Sequence, residues 1–189
     1  MAFFLKTIAS LVAGSALGLL ATWASVELGV TNIVTDGPWH TSLSAGNSVG
    51  DPYTRASVAV HGLLALNRSE TIYYSASSDG DGHALSSNCR YQIRGRDPDA
   101  RWWSITAYAT DDFLIPNPAH RYSISKSSLQ RDSNGGFVAT VSVQRAPGNW
   151  IPLRAGAFSL SLRLYNPGLA VTGDPARATL PVITRLSCA

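Results

Sequence analysis

Between Trp102 and Ala109 the side chains alternate with a period of two. Trp103, Ile105, Ala107 and Ala109 fall on one side, and Trp102, Ser104, Thr106 and Tyr108 on the other. Successive side chains of a strand point to opposite faces, so this stretch presents one apolar face and one face of aromatics and hydroxyls, as a central strand of a sandwich does. Asp111 and Asp112 end the run, and Phe113-Leu114-Ile115 leads into Pro116-Asn117-Pro118. Two prolines with fixed φ and no N–H rule out a continuing helix or central strand there. The chain returns as Arg121-Tyr122-Ser123-Ile124, and the core is expected to assemble around this hairpin-like unit.

The same period recurs from Glu70 onward, in Ile72 to Ala76, Cys89 to Arg94, Gly136 to Val143, Asn149 to Pro152, Phe158 to Tyr165 and Leu180 to Leu186. Turn residues separate them: Ser78-Asp79-Gly80-Asp81-Gly82, Asn134-Gly135-Gly136 and Ala146-Pro147-Gly148. Ahead of the strands, Asp51 can cap a helix with Pro52 in its first turn and Tyr53, Ala56, Val60, Leu63 and Leu64 on one stripe. The expected fold is mainly β: an antiparallel, jelly-roll-like β-sandwich with one helix near its start. With 45% hydrophobic and 14% charged residues, the chain can fill such a core and is not disordered.

From Thr7 to Val26 no residue is charged. About twenty helical residues at roughly 1.5 Å each cross a hydrocarbon core of about 30 Å. A retained transmembrane anchor is favoured over a cleaved signal, whose apolar region runs about 7–15 residues before a small-x-small site that Thr22-Trp23-Ala24 matches poorly. With Lys6 on the near side, the remainder is expected across the inner membrane, in the periplasm of a Gram-negative cell. The expected division is therefore residues 1–30 as anchor or signal, 31–50 as a polar linker, and 51–189 as the sandwich.

Gly46-Asn47-Ser48-Val49-Gly50 matches the G-x-S-x-G nucleophile elbow, but His40 to Ala45 is too polar for the buried strand that such an elbow needs. Asp79, Asp81 and His83 invite a calcium reading, yet Ala84 stands where the loop needs its glycine and Arg90 where it needs its terminal glutamate, so a turn is expected. His40, His61 and His120 are isolated, and no metal-ligand spacing occurs. Asn67-Arg68-Ser69 is a chance sequon in a bacterial setting. Arg90, Arg94 and Arg96 share one strand face with Asp97 and Asp99 close behind, which reads as a solvated face. A net charge of +3 without a basic run interleaved with aromatics does not suggest nucleic-acid binding. In an exported domain, Cys89 and Cys188 are expected to form a disulfide; a bridge closing a loop of about a hundred residues stabilises by about 4–5 kcal/mol in the chain-entropy account.

Several segments together carry a family resemblance. They are Asp51-Pro52-Tyr53-Thr54-Arg55-Ala56, Tyr73-Tyr74, Trp103 to Tyr108, Phe113-Leu114-Ile115-Pro116-Asn117, Arg121-Tyr122-Ser123, Asn149-Trp150-Ile151-Pro152 and Phe158 to Pro167. As a set, over about residues 50–185, they resemble the bacterial domain of unknown function 1214. The resemblance implies a jelly-roll-like sandwich. In many relatives this domain is joined to a domain of unknown function 1254, so a separately encoded 1254-type membrane protein is the implied partner. It brings no catalytic residues and no cofactor. Three function classes follow: an envelope binding or assembly module, a carbohydrate or small-ligand binder, and, least favoured, a hydrolase. For ligand contact the candidate residues are Tyr73, Tyr74, Trp102, Tyr108, Asp111, Asp112 and Asn117; no metal ligand is proposed.

Overall fold

A computed structural model of the protein describes residues 2–28, 33–43, 52–60 and 66–188. The first element is a long helix, α1 (Ala2–Leu28), whose side chains from Phe3 to Trp23 are all exposed. Within it the hydroxyls of Thr7 and Thr22 donate to the carbonyls of Phe3 and Gly18, at 3.0 and 2.9 Å, which satisfies them inside the helix. Its segment Phe3–Val26 is long and apolar enough to cross a membrane.

Among the described residues that follow, ten strands form two sheets. β1 (Ile33–Asp36), β2 (Trp39–Ser42), β3 (Thr71–Ala76), β9 (Phe158–Pro167), β5 (Ala100–Ala109) and β6 (Ser123–Ser125) lie side by side in that order in one antiparallel sheet. The second sheet runs β10 (Val182–Cys188), β4 (Cys89–Gly95), β7 (Phe137–Ser142), β8 (Asn149–Pro152). The late strand β9 is inserted between β3 and β5, and the chain crosses repeatedly from sheet to sheet, the jelly-roll-like wiring expected. One pairing departs from it: β8 runs parallel to β7. Ala146-Pro147-Gly148 is a connection and not a hairpin turn, so the chain re-enters the sheet in its original direction.

The apolar faces read from the alternation meet between the sheets. Trp103, Ile105 and Ala107 of β5, Leu160, Leu162 and Leu164 of β9, and Ile72 and Tyr74 of β3 face Tyr91 and Ile93 of β4 and Phe137, Ala139 and Val141 of β7. Trp103 and Phe137 stack at 5.1 Å, and Tyr91 meets Phe158 edge-on at 5.7 Å. Buried polar tips find partners: the Trp103 indole N–H donates to Asp97 at 3.1 Å, and the Tyr74 hydroxyl donates to the Pro175 carbonyl at 2.8 Å. Burial raises the Tyr74 pKa well above the usual phenol range.

The segment read as a linker is partly sheet. Residues 33–42 form the β1–β2 hairpin, with Gly37 in the left-handed region (φ +55°) at its turn. Trp39 is 1% exposed in the core, and its indole N–H donates to the Pro181 carbonyl at 2.7 Å. Four alternating residues are too short a signal to stand out among glycines and serines; a long-range contact to Pro181 secures them.

The helix expected from Asp51 is present as α2 (Pro52–Val60), but it buries Thr54 and Ser57 and leaves Tyr53 and Val60 exposed. It meets the last turns of α1, where Ala24 to Val26 are partly buried. Its expected cap Asp51 and the stripe residues Leu63 and Leu64 lie outside the described residues, as do His61 and the elbow serine Ser48. A further short helix, α3 (Leu169–Gly173), and a 3-10 turn (Pro175–Arg177) follow β9.

Cys89 and Cys188 form a disulfide between directly paired positions of β4 and β10. The Asp79 to His83 segment is a turn, as expected. Asp79 is 1% exposed and its Oδ1 accepts the N–H groups of Asp81 and His83, both at 3.0 Å. Arg185 of β10 lies 3.5 Å from the other carboxylate oxygen and 3.0 Å from His83 Nδ1. Asp79, Asp81 and His83 lie close enough together to hold a cation. The guanidinium already supplies positive charge there, so the cluster is a latch between this turn and the edge strand. Burial pushes the Asp79 carboxyl up, but the two N–H donors, Arg185 and His83 outweigh it and hold its pKa below the usual carboxylate value.

Candidate functional site

The outer face of the six-stranded sheet carries the second half of every alternation. Reading across the strands, Tyr73, Arg163, Ser104 and Ser125 form one row. Next to it runs a row of His40, Ser75, Ser161, Thr106 and Ser123. Rows on one face are about 7 Å apart, twice the rise per residue. Thr71, Tyr165 and Trp102 close the face on one side, and Tyr108 with Ser159 on the other.

Arg163 and Tyr108 lie on neighbouring strands with the Ser161–Thr106 pair between them. The Arg163 guanidinium nevertheless donates to the Tyr108 hydroxyl and sits 5.3 Å from its ring centre. Its side chain therefore runs along the sheet over that pair, which explains why Thr106 and Ser161 are only 5% and 7% exposed on an outer face. Trp102 packs on Tyr165 at 5.2 Å, and its indole N–H donates to Ser127 Oγ at 3.2 Å. His40 is half-buried, and burial lowers its pKa, so it is neutral at pH 7 and Arg163 is the charge at the centre of these rows.

The residues proposed for ligand contact divide. Tyr73, Trp102 and Tyr108 share this outer face. Tyr74 points the other way, into the core, because it is the next residue along a strand. Asp111 and Asp112 sit at the exposed tip after β5, near Tyr108. There Asp111 accepts the Phe113 N–H at 3.1 Å, and Asp112 takes φ +62°. Asn117 is a loop staple, 8% exposed: its amide donates to the carbonyls of Ile115 and Arg121 at 3.0 and 2.9 Å, and its oxygen accepts the Arg121 N–H at 3.2 Å.

On the opposite sheet, Arg90 and Arg94 face outward as expected, whereas Arg96 lies just past the end of β4 and donates to the Asn134 carbonyl at 2.8 Å, and Asp97 pairs with Arg131 at 2.8 Å and not with them. Sequence reasoning missed Tyr165, Arg163 and His40 on the outer face. The first two were legible from the alternation of β9, and His40 only through the unrecognised hairpin. It also missed a groove beside β8, whose lining comes, apart from Trp150, from loops.

These features define a β-sandwich domain with a polar, aromatic-edged outer face, carried behind a helix able to span a membrane. Residues 70–169 match the family described as "Protein of unknown function (DUF1214)", and the chain belongs to that family. The matched segment runs from just before β3 to the first residue of α3 and leaves out α1, the β1–β2 hairpin and β10.

Among solved structures, the chain is similar to the VPA0106 protein from Vibrio parahaemolyticus, with a TM-score of 0.65 and 19% identity over 92% of this chain and 44% of that one. It also matches an uncharacterised protein from Burkholderia cenocepacia at a TM-score of 0.47 and 16% identity, over 89% of this chain and 40% of that one. The chain thus spans under half the length of either structure; the first likeness bears on the fold. No curated protein sequence matches it.

Proposed function

We propose that the protein is a membrane-tethered, non-catalytic binding module of the bacterial cell envelope. Its sandwich lies in the periplasm and docks a second polypeptide on the outer face of the six-stranded sheet. The observation that carries this reading is α1: large apolar side chains such as Leu11, Leu17, Leu19 and Trp23 are each more than 60% exposed, and none of the described residues covers them. Leaving one such side chain in water forgoes about 1.5–3 kcal/mol, so a bilayer is the natural cover. The Cys89–Cys188 disulfide fits an oxidising compartment. A separately encoded 1254-type membrane protein is the partner that family membership suggests, and the same fold in VPA0106 makes up less than half of a longer chain.

The test uses full-length protein in living cells with a photo-crosslinking amino acid at Trp102 or at Gln92, which lie on opposite sheets. Capture of one membrane protein from position 102 and not from position 92 is expected; equal capture from both, or self-crosslinks alone, removes the docking reading.

A second reading is carbohydrate binding, which the accessible polar groups of His40, Ser75 and Ser123 on a face bordered by Trp102 and Tyr108 favour. Its test is a glycan array, with binding lost in Trp102→Ala.

A further inference from the structure

Next to the edge strands β6 and β8, the loop leading into β6, the β7–β8 connection and Trp150 of β8 line an open groove of about 900 Å³. Small-ligand sites span roughly 300–1,000 Å³. Trp150, Val143, Pro118 and Pro147 supply its apolar lining, Arg121 and Arg145 its charge, and no acidic residue lines it. Neither guanidinium takes part in an ion pair among the described residues.

Both rims are held by hydrogen bonds that fix the loops' course. On one, Asn117 clamps the main chain of Arg121 from both sides, and His120 beside it is kept in the left-handed region at φ +47°, a conformation unfavourable for a residue with a Cβ. On the other, the Trp150 indole N–H is shared between the Ser142 carbonyl and hydroxyl, at 3.1 and 3.2 Å. The same hydroxyl donates to the Gln144 carbonyl at 2.6 Å, immediately before Arg145. Prolines on each side limit what the loops can do. A groove fixed in this way loses little freedom when it is filled.

Two arginines with no ion-pair partner among the described residues, sharing a groove with an apolar lining, match one kind of ligand. We propose that this groove binds an amphiphile with a single phosphate or carboxylate headgroup, the anion held by Arg121 and Arg145 and the apolar body laid along Trp150, Val143 and the prolines. A membrane lipid and a soluble amphiphile share that chemistry. The site lies at the sandwich edge, apart from the outer-face rows, so it stands or falls independently of the docking reading.

The test is calorimetry of the full-length protein in phosphatidylcholine nanodiscs, titrated with hexyl phosphate, inorganic phosphate or hexanol. After subtraction of the same titrations into empty nanodiscs, hexyl phosphate is expected to bind saturably and at least tenfold more tightly than inorganic phosphate, and hexanol to leave no residual heat. Both arginines are exposed, so Arg121→Gln/Arg145→Gln should melt like the wild type while losing at least tenfold in hexyl phosphate affinity. Hexyl phosphate affinity unchanged in that variant overturns the site. Equal affinity for hexyl and inorganic phosphate overturns the amphiphile assignment. With phosphatidylglycerol in the nanodiscs, competition with hexyl phosphate identifies a lipid as the ligand, and its absence identifies a soluble amphiphile; either result supports the groove.

Discussion

Reducing the Cys89–Cys188 bond isolates one term of this domain's stability. The bond joins residues 99 apart in sequence, and in the chain-entropy account cross-linking a loop of that length lowers the denatured-state entropy enough to stabilise the fold by about 4.7 kcal/mol at 25 °C. Native contacts of β10 should survive the loss. Ile183 stays in the core, the Gly80 N–H still donates to the Ile183 carbonyl at 2.9 Å, Arg185 still meets Asp79, and Trp39 still holds the Pro181 carbonyl. The reduced protein should therefore fold with the same sheet and unfold earlier. For a urea m-value of about 2 kcal/mol/M, the midpoint should fall by about 2 M. The measurement is urea unfolding of the full-length protein in nanodiscs, followed by tryptophan fluorescence with and without reductant, with Cys89→Ser/Cys188→Ser as a second comparison. A midpoint shift below about 0.5 M in both would refute the entropy argument and mean that the unfolded chain already keeps these ends together. A biphasic transition would instead show β10 detaching before the rest.

Trp103→Ala removes a fully buried indole stacked on Phe137 and bonded to Asp97, and should cost about 3–5 kcal/mol, read as a loss of the folded baseline at moderate urea. Gly95→Ala places a Cβ 2.9 Å from Pro181 Cβ and 3.1 Å from its Cα, so about 1–3 kcal/mol of overpacking should appear as a lower melting temperature. Asp79 has a depressed folded pKa, so its contribution is complete above the unfolded value of 3.8 and disappears as pH falls through the lower folded value. Asp79→Asn should flatten that part of the stability–pH curve, and an unchanged curve would mean the Arg185 latch contributes nothing. His40 is also depressed, so its share is present above pH 6.5 and lost on acidification below it; His40→Gln should remove that loss between about pH 6.5 and the lower folded pKa.

The parts of this molecule that could be read from sequence are those where side-chain direction follows from position alone. Along β5, β9 and β3 the period of two assigns every residue to the core or the outer face without reference to anything distant. Trp103 and Trp102 are separated correctly on that basis, and so, in the structure, are Tyr74 and Tyr73, which the sequence had grouped as one aromatic pair. Where direction depends on a remote contact, the sequence is silent. Trp39 is core because Pro181 accepts its N–H, and Asn117 is a staple because Arg121 folds back onto it. Both therefore read as loop residues. The groove is the extreme case. It opens where β6, three residues long, and β8, which ends in Pro152, terminate their sheets. Short strands and proline are the usual means of blunting a sheet edge against stray pairing. Here the segments next to those edges, residues 118–121 ahead of β6 and 143–148 ahead of β8, carry the two arginines and the prolines of the groove, and loop side chains have no periodicity from which their direction could be read.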